Sequence, residues 1–451
     1  MLDVKGKKVL ILGFGESGYA ATKLLLNKGA LVKISESSDS SDISKRLKSL
    51  EKFSLEHEIG GHTAGFCSDA EIVVVSPGID IESLKSANIF SEQALVLGEL
   101  ELGFLFCPAP IVAVTGTNGK TTTTELIGKI FSFAGKHTVV CGNIGNPLSG
   151  EVDSLTQESI AVVEVSSFQL ETIKGFKPKV ALLLNITDDH YERHGNYANY
   201  QKEKFKIFRN QDNKDYAIIN STFLNDPIIP NIKSHIVYFA EKEGDIFVGK
   251  GDEKNLIFRE REIPLKGRHN RDNVESAVCA AMVMGIDKNV IRSAVLEFKG
   301  LSHRFERVFS FNGIDFIDDS KATNVGAVYS ALQSMDKKVI LIAGGRDKGG
   351  NYDFVMPLIK EKVKAMVLMG EARKKIKAVF HNVVPVFDVS NMKEAVLKSI
   401  SLAKRGEAVL LSPMCSSFDM FSSYKERGKV FQEEVKKRIA VDQKLDTNQV
   451  S

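Results

Sequence analysis

No charge of one sign dominates this chain. Across 451 residues, Lys and Arg number 60 against 57 Asp and Glu, a net charge of +3. A dedicated nucleic-acid binder carries a strong basic excess, so that class is excluded, while small anionic ligands, which need only a local patch, are not. Cysteine is sparse. Cys67, Cys107, Cys141, Cys279 and Cys415 make an odd count without a C-x-x-C pair, which speaks against a disulfide framework or a thiolate zinc site and for a reducing compartment. No apolar run approaches the length of a membrane span, and the charged segment Met1 to Lys8 lacks the apolar core of a signal peptide. A repeat of fixed period is missing too. The expectation is a cytoplasmic protein without a membrane partner.

What is present is ordinary globular composition, 43% hydrophobic and 26% charged, which rules out a disordered chain, a collagen-like fibre or a coiled-coil rod. The length predicts about three domains. Short Val-, Ile- and Leu-rich runs recur at Lys8–Leu12, Glu71–Val75, Ile111–Val114, Ile160–Val165, Val180–Ile186, Val339–Ala343, Ala365–Met369 and Ala408–Leu411. They lack alternation, as strands buried on both faces do. Helical stretches lie between several of them, at Ser17–Lys28, Thr121–Ala134, Asn273–Met284, Ala327–Gln333 and Asn391–Ala403. Alternating strand and helix predicts mostly parallel sheets with helices on both sides. Two prolines in Cys107-Pro-Ala-Pro110 mark an extended connector. The stretch Phe298–His303 precedes a hairpin predicted over Val308–Ile317 around Asn312-Gly313. Boundaries are therefore placed near 108 and 300, giving domains 1–107, 108–300 and 301–451. Lys233–Pro264 is read as short strands on the rim of the middle domain, and Gln443–Ser451 as a frayed end.

The clearest local chemistry is Val114-Thr-Gly-Thr-Asn-Gly-Lys-Thr-Thr122 between a strand and a helix. Glycines 116 and 119 let backbone N–H groups turn toward an anion, Lys120 can reach β and γ phosphates, and the Thr121 hydroxyl can bind Mg²⁺. Val114 stands where the strict P-loop pattern has its first glycine. Gly13-Phe-Gly-Glu-Ser-Gly18 matches the dinucleotide fingerprint, with Glu36 as the acid about 20 residues on; the same glycines could serve only close helix–strand packing. Glu164 ends a buried strand, where an acid needs a partner, either Mg²⁺ or a basic side chain. Asp188, Asp189 and His190 lie at another strand end, open to a metal, a substrate or a structural role. Lys202, Lys204 and Lys206 read as a solvated basic helix face.

Together these blocks resemble the Mur ligase family. Thr115–Thr122 is similar to its P-loop, and further blocks match in order: Gly142–Gly145, Glu164-Val-Ser-Ser-Phe-Gln-Leu170, Asp189-His190, Gly267-Arg-His-Asn270 with Asn273, and His303-Arg-Phe-Glu306. Asp319-Ser-Lys-Ala-Thr-Asn324, Gly344-Gly345 with Lys348, and Leu411–Asp419 complete the set, so the resemblance covers nearly the whole chain. Gly13–Gly18 with Ser76-Pro-Gly-Ile79 resembles the branch that adds D-glutamate to UDP-MurNAc-L-Ala in peptidoglycan precursor synthesis. The fold implied is α/β with three domains: a Rossmann-like domain for the UDP end, a central P-loop ATPase domain with a mostly parallel sheet, and a Rossmann-like C-terminal domain that closes over the nucleotide.

The resemblance also implies roles. ATP and two Mg²⁺ ions are the cofactors, and UDP-MurNAc-L-Ala and D-glutamate the small-molecule substrates, with a monomer expected. Gly116, Thr117, Asn118, Gly119, Lys120, Thr121 and Thr122 would hold ATP, with Asn273, Arg304, Asp319 and Lys321 reaching the nucleotide. Thr121 and Glu164 would serve one Mg²⁺, and His190 with a carbamylated Lys204 the other; carbamylation would overturn the bland reading of that lysine. Lys120, Glu164, His190 and Lys204 are thus the catalytic set. Asn143 would contact the muramoyl part, beside His190, and Glu16, Ser17 and Glu36 would lie near the uridine. D-Glutamate would meet Thr323, Lys348, Ser417 and Phe418, with His303 at the adjoining hinge.

Overall fold

The computed structural model describes residues 2–449 apart from 54, 243, 249–254, 266 and 348. Lys348, expected at the amino-acid site, therefore lies outside the described residues. Three sheets carry the chain. The first holds β1 (Lys8–Leu12), β2 (Leu31–Glu36), β3 (Glu56–Ile59), β4 (Ile72–Val75) and β5 (Leu95–Gly98) in the order β3-β2-β1-β4-β5, all parallel. The second holds β6 (Ile111–Thr115), β7 (Thr138–Gly142), β8 (Ile160–Glu164), β9 (Val180–Leu183), β10 (Tyr216–Asn220) and β11 (His235–Phe239) in the order β11-β10-β9-β6-β8-β7, again parallel. A small antiparallel ribbon follows, β12 (Ile246–Val248) with β13 (Asn255–Phe258).

The third sheet joins β14 (Glu306–Phe311), β15 (Ile314–Asp318), β16 (Val339–Gly344), β17 (Val363–Met369), β18 (Val386–Asp388) and β19 (Ala408–Leu411) in the order β14-β15-β19-β16-β17-β18. Only the β14–β15 pair is antiparallel. Its turn is the expected Asn312-Gly313, with φ of +51° and +75°, the left-handed pair that a two-residue hairpin needs. The interior strands β6, β8, β9, β16 and β19 are buried along their whole length. Covering helices on both faces explains why these strands read as unbroken apolar runs.

Two compact units emerge. The residues up to Asn185, with Gln201–Phe258 and Val274–Val295, make one; Ile186–Tyr200, Arg259–Asn273 and Leu296 onward make the other. Inside the first unit, the helix Glu99–Phe106 joins the two sheets. Glu101 on that helix is buried, and its carboxylate accepts the consecutive backbone N–H groups of Lys174, Gly175 and Phe176 at 2.9, 2.7 and 2.9 Å. Neighbouring Glu99 accepts Ser149 N at 2.7 Å, and its burial pushes that carboxyl above the usual range. Within the end expected to fray, residues 443–449 continue the helix Tyr424–Gln449, whose polar residues are rich in the good helix formers Lys, Glu and Gln. Among the described residues no helix is long and apolar enough to cross a membrane.

Candidate active site

β6 runs into the glycine loop, and the helix Lys120–Phe133 leaves it. Gly116 and Gly119 have φ of +155° and +85°, conformations that favour glycine. A Cβ on Gly116 would sit 3.0 Å from that of Leu184. The loop is laced to the end of β9: Thr117 N donates to Asn185 O, Asn118 N to Asn185 Oδ1, and Asn185 Nδ2 back to Asn118 O, all within 2.9–3.0 Å. Asn185 carried no role in the sequence reading. Its signal is there in retrospect, as an amide that ends a buried strand beside a phosphate-type loop.

Lys120 Nζ folds back to the Gly116 and Thr117 carbonyls, each at 2.9 Å. Lys204 Nζ donates to the same Gly116 oxygen at 3.0 Å, from a side chain with 1% exposure. The bland reading of Lys204 as a solvated face is thus overturned, since its amine is buried beneath the loop. Lys202, by contrast, is exposed, and Lys206 pairs with Glu203 at 2.5 Å. Thr121 Oγ1 donates to Glu164 Oε2 at 2.6 Å, and Asn143 Nδ2 to Glu164 Oε1 at 2.7 Å. Glu164 is 2% exposed. Its partners are thus a hydroxyl from the first turn of the helix that follows β6 and an amide just beyond β7, and neither of these two bonds is made to a basic side chain. Thr122 is buried behind the loop. Lys120, Thr121, Glu164, Asn143 and Lys204 therefore converge at the carboxyl ends of β6, β7 and β8, where open α/β sheets gather their sites.

In the first sheet, Gly13 has φ of +82°, a Cβ on Gly15 would meet open space, and one on Gly18 would lie 2.0 Å from Gly13 O. That division suits a turn, an approachable backbone and a close helix contact in turn. Glu36 turns its carboxylate inward. Phe14 N reaches Oε2 at 2.5 Å, while Ser38 N and Ser37 Oγ reach Oε1 at 2.7 and 3.3 Å. Burial works to raise this carboxyl, and the backbone N–H groups of Phe14 and Ser38 outweigh it, so it lies below the usual range. Glu16 pairs with Arg46, which also donates to Phe14 O at 3.2 Å, and Ser17 is half-buried beside it.

The second unit assembles the remaining residues. A cavity of about 290 Å³ is lined by Asp188, Asp189, His190, Thr323, Asn324 and Phe354, among others. His190 has φ of +56°, and its backbone N donates to Asp189 Oδ1 at 3.1 Å. Asn324 Nδ2 donates to Asp189 Oδ2 at 3.0 Å, while its Oδ1 caps the helix Val325–Gln333 at Ala327 N, 2.8 Å away. Asp319 accepts Ser412 Oγ at 2.8 Å and Phe305 N at 3.1 Å. Burial pushes its carboxyl up to about 7, with Asp318 adding to the rise and the hydrogen bonds from Ser412 and Phe305 opposing it. The Lys321 ammonium lies 4.1 Å from the centre of the Tyr424 ring. Ser417 is buried, Phe418 is 64% exposed, and Asn273 is buried. Arg427 is buried too, donating to Ser320 Oγ, Ser320 O and Cys415 O at 3.0, 2.7 and 3.1 Å. Burial lowers its guanidinium to about 10. His303 directs Nδ1 onto Asp318 Oδ2 at 2.7 Å.

The fold and site thus define an α/β P-loop protein whose first sheet carries a separate glycine turn. Three sequence families match it in succession: Mur ligase MurD-like, N-terminal domain over residues 7–98; Mur ligase middle domain over 114–281; and Mur ligase, glutamate ligase domain over 303–415. The UDP-N-acetylmuramoylalanine--D-glutamate ligase of Geotalea daltonii is 41% identical over 446 residues, covering 95% of this chain and 97% of that protein. Among solved structures, a pseudomurein peptide ligase type C from Methanothermus fervidus matches with a TM-score of 0.59 at 18% identity, over 96% of this chain and 100% of that one. The MurF ligase of Thermotoga maritima, solved in complex with ADP, matches with a TM-score of 0.58 at 15% identity, over 97% and 96%. The chain belongs to the Mur ligase family.

Proposed function

We propose that this chain is the ATP-dependent ligase that joins D-glutamate to UDP-N-acetylmuramoyl-L-alanine in peptidoglycan precursor synthesis. The observation that carries the reading is the 41% identity to a D-glutamate ligase over nearly the full length of both chains. In this reading ATP phosphorylates the terminal carboxylate of the UDP substrate. The amine of D-glutamate then attacks the acyl phosphate, phosphate leaves, and an amide forms. The electrostatic problem is to bring an anionic carboxylate against an anionic phosphate, and fixed positive charge in a dry site is the economical answer.

Lys120 and the loop Gly116–Thr122 would hold the β and γ phosphates, with Asn273, Arg304, Asp319 and Lys321 on the rest of the nucleotide. The Thr121 hydroxyl beside the Glu164 carboxylate is a hard-oxygen pair suited to Mg²⁺, and His190 with Lys204 would serve a second ion. When bound, these ions supply charge neutralisation and orientation. Carbamylation of Lys204 would add CO₂ to its amine, with two protons released in all from the ammonium form, replacing a buried cation by carboxylate-like oxygens. Two lysine nitrogens within hydrogen-bond reach of the single Gly116 oxygen support that reading.

Asn143 would face the muramoyl part, and Gly13–Gly18 with Glu16, Ser17 and Glu36 the uridine diphosphate. For Glu36 this role runs through the loop that its carboxylate holds. Thr323, Lys348, Ser417 and Phe418 would bind D-glutamate, with His303 at the hinge beside them. The test is phosphate release from ATP with UDP-MurNAc-L-Ala across a panel of D- and L-amino acids. Release is expected only with both the UDP substrate and D-glutamate; equal turnover without the UDP substrate would overturn the assignment.

A further inference from the structure

The turn that enters β14 has unusual backbone. His303 and Phe305 have φ of +64° and +48°, a region that residues with a Cβ avoid, and Arg304 stands between them. Strain of this kind persists only where surrounding bonds over-determine it. Here they do. His303 N donates to Glu306 Oε2 at 2.9 Å, Lys321 N to His303 O at 3.1 Å, and Phe305 N to Asp319 Oδ1 at 3.1 Å. The His303 imidazole closes the turn against Asp318, a carboxylate with no exposed surface, whose other oxygen accepts Ser320 N at 3.0 Å.

The last member comes from the helix Tyr424–Gln449. Gln432 Nε2 donates to Asp318 Oδ2 at 2.8 Å and reaches Glu306 Oε2 at 3.3 Å. One turn earlier, a Cβ on Gly428 would lie 2.2 Å from His303 Nδ1 and 2.8 Å from Asp318 Oδ2. Glycine there is what lets the helix approach the cluster. The Gln432 amide thus stands between two carboxylates, and without a donor at that point they would face each other directly.

We propose that Asp318 and Gln432 are positioning residues, which lock His303 and so hold the strained turn that presents Arg304 and the neighbouring Asp319 to the nucleotide. This rests on the assignment of those two residues to nucleotide under the proposed function. Neither Asp318 nor Gln432 is required to touch a substrate.

The full-length chain should be compared with Gln432→Glu, Gln432→Ala and Gln432→Lys. The readouts are ADP affinity by calorimetry, KM for ATP and for D-glutamate, and the urea midpoint. Gln432→Glu adds a third carboxylate and should weaken ADP and raise the KM for ATP by about tenfold, the loss of roughly one charge-assisted contact, with a smaller change in the KM for D-glutamate. Gln432→Lys restores a donor between the carboxylates and should stay within about twofold of the parent; Gln432→Ala should fall between. Unchanged ADP affinity in Gln432→Glu, or changes that merely track the urea midpoint across all variants, would overturn the proposal. So would a zinc-dependent rise in the midpoint of the parent that Gln432→Ala abolishes, since His303, Glu306 and Asp318 would then be ligands, their atoms lying within 4.8 Å of one another. A parent chain that binds no ADP would instead overturn the functional assignment and this proposal with it.

Discussion

Asp319→Asn should stabilise the ligand-free chain at alkaline pH while removing a residue assigned to the nucleotide. Asp319 is 9% exposed and accepts hydrogen bonds from Ser412 Oγ and Phe305 N. Asparagine fits the same space, keeps an oxygen for Phe305 N, and can donate to a rotated Ser412 hydroxyl. The carboxyl rises from 3.8 to about 7 on folding. The sign follows from which state binds the proton. Below about pH 4 both folded and unfolded chains carry it, so the residue costs nothing. As pH rises, the unfolded chain ionises first, and folded-state stability falls until the native carboxyl ionises near 7, above which the loss is complete. At about 1.36 kcal/mol per unit, the shift corresponds to roughly 4 kcal/mol. The chain has no tryptophan, so far-UV circular dichroism is the probe. Urea midpoints of both proteins, free of nucleotide, should be measured from pH 4 to pH 8.5. The advantage of Asp319→Asn should grow between about pH 4 and 7 and then level. A difference that stays flat across that range would refute the reasoning, because every other titrating group is common to both chains.

Three further outcomes are expected. Lys120→Ala should lower ATP-dependent phosphate release by about 10²–10³ in kcat; near-normal turnover would remove the phosphate role from the loop. Lys204→Ala should be inactive and partly restored by a short carboxylic acid, and the parent chain in ¹³C-bicarbonate should show a carbamate carbon signal that the variant lacks. Glu101→Gln should cost about 3 kcal/mol in stability, because an amide offers one acceptor oxygen to three backbone N–H groups, with D-glutamate KM unchanged; calorimetry and steady-state kinetics check the two halves.

The interior strands were legible because burial on both faces leaves a continuous apolar run, and β1 and β19 fall on the residues the runs mark. The run Val180–Ile186 overshoots the strand, which ends at Leu183: Leu184 N makes a last bond to Thr115 O at the end of β6, and Asn185 then turns to the loop. The phosphate-type loop was legible for a local reason: glycines, Lys120 and Thr121 are contiguous. Lys204 could not be read from its neighbourhood, because a basic helix face looks the same whether it meets water or a loop 88 residues upstream. Glu36 shows the converse. Its spacing after Gly13–Gly18 pointed to a ligand contact, while the backbone N–H groups of Phe14 and Ser38 take up its oxygens. Glu101 and Gln432 escaped entirely, since each is defined by partners more than seventy residues away in the chain.

Arg427, Gly428 and Gln432 stand later in the chain than every segment they hold in place: the turn at 303–306, the stretch 318–320 and Cys415. During synthesis, all of those segments leave the ribosome before the helix that fixes them exists. The strands β14 to β19 can therefore pair as they emerge, while the loops at their ends wait for the final helix. A premature stop or proteolytic cut just upstream of Arg427 would leave every strand of the fold encoded and still leave the third sheet without an organised site.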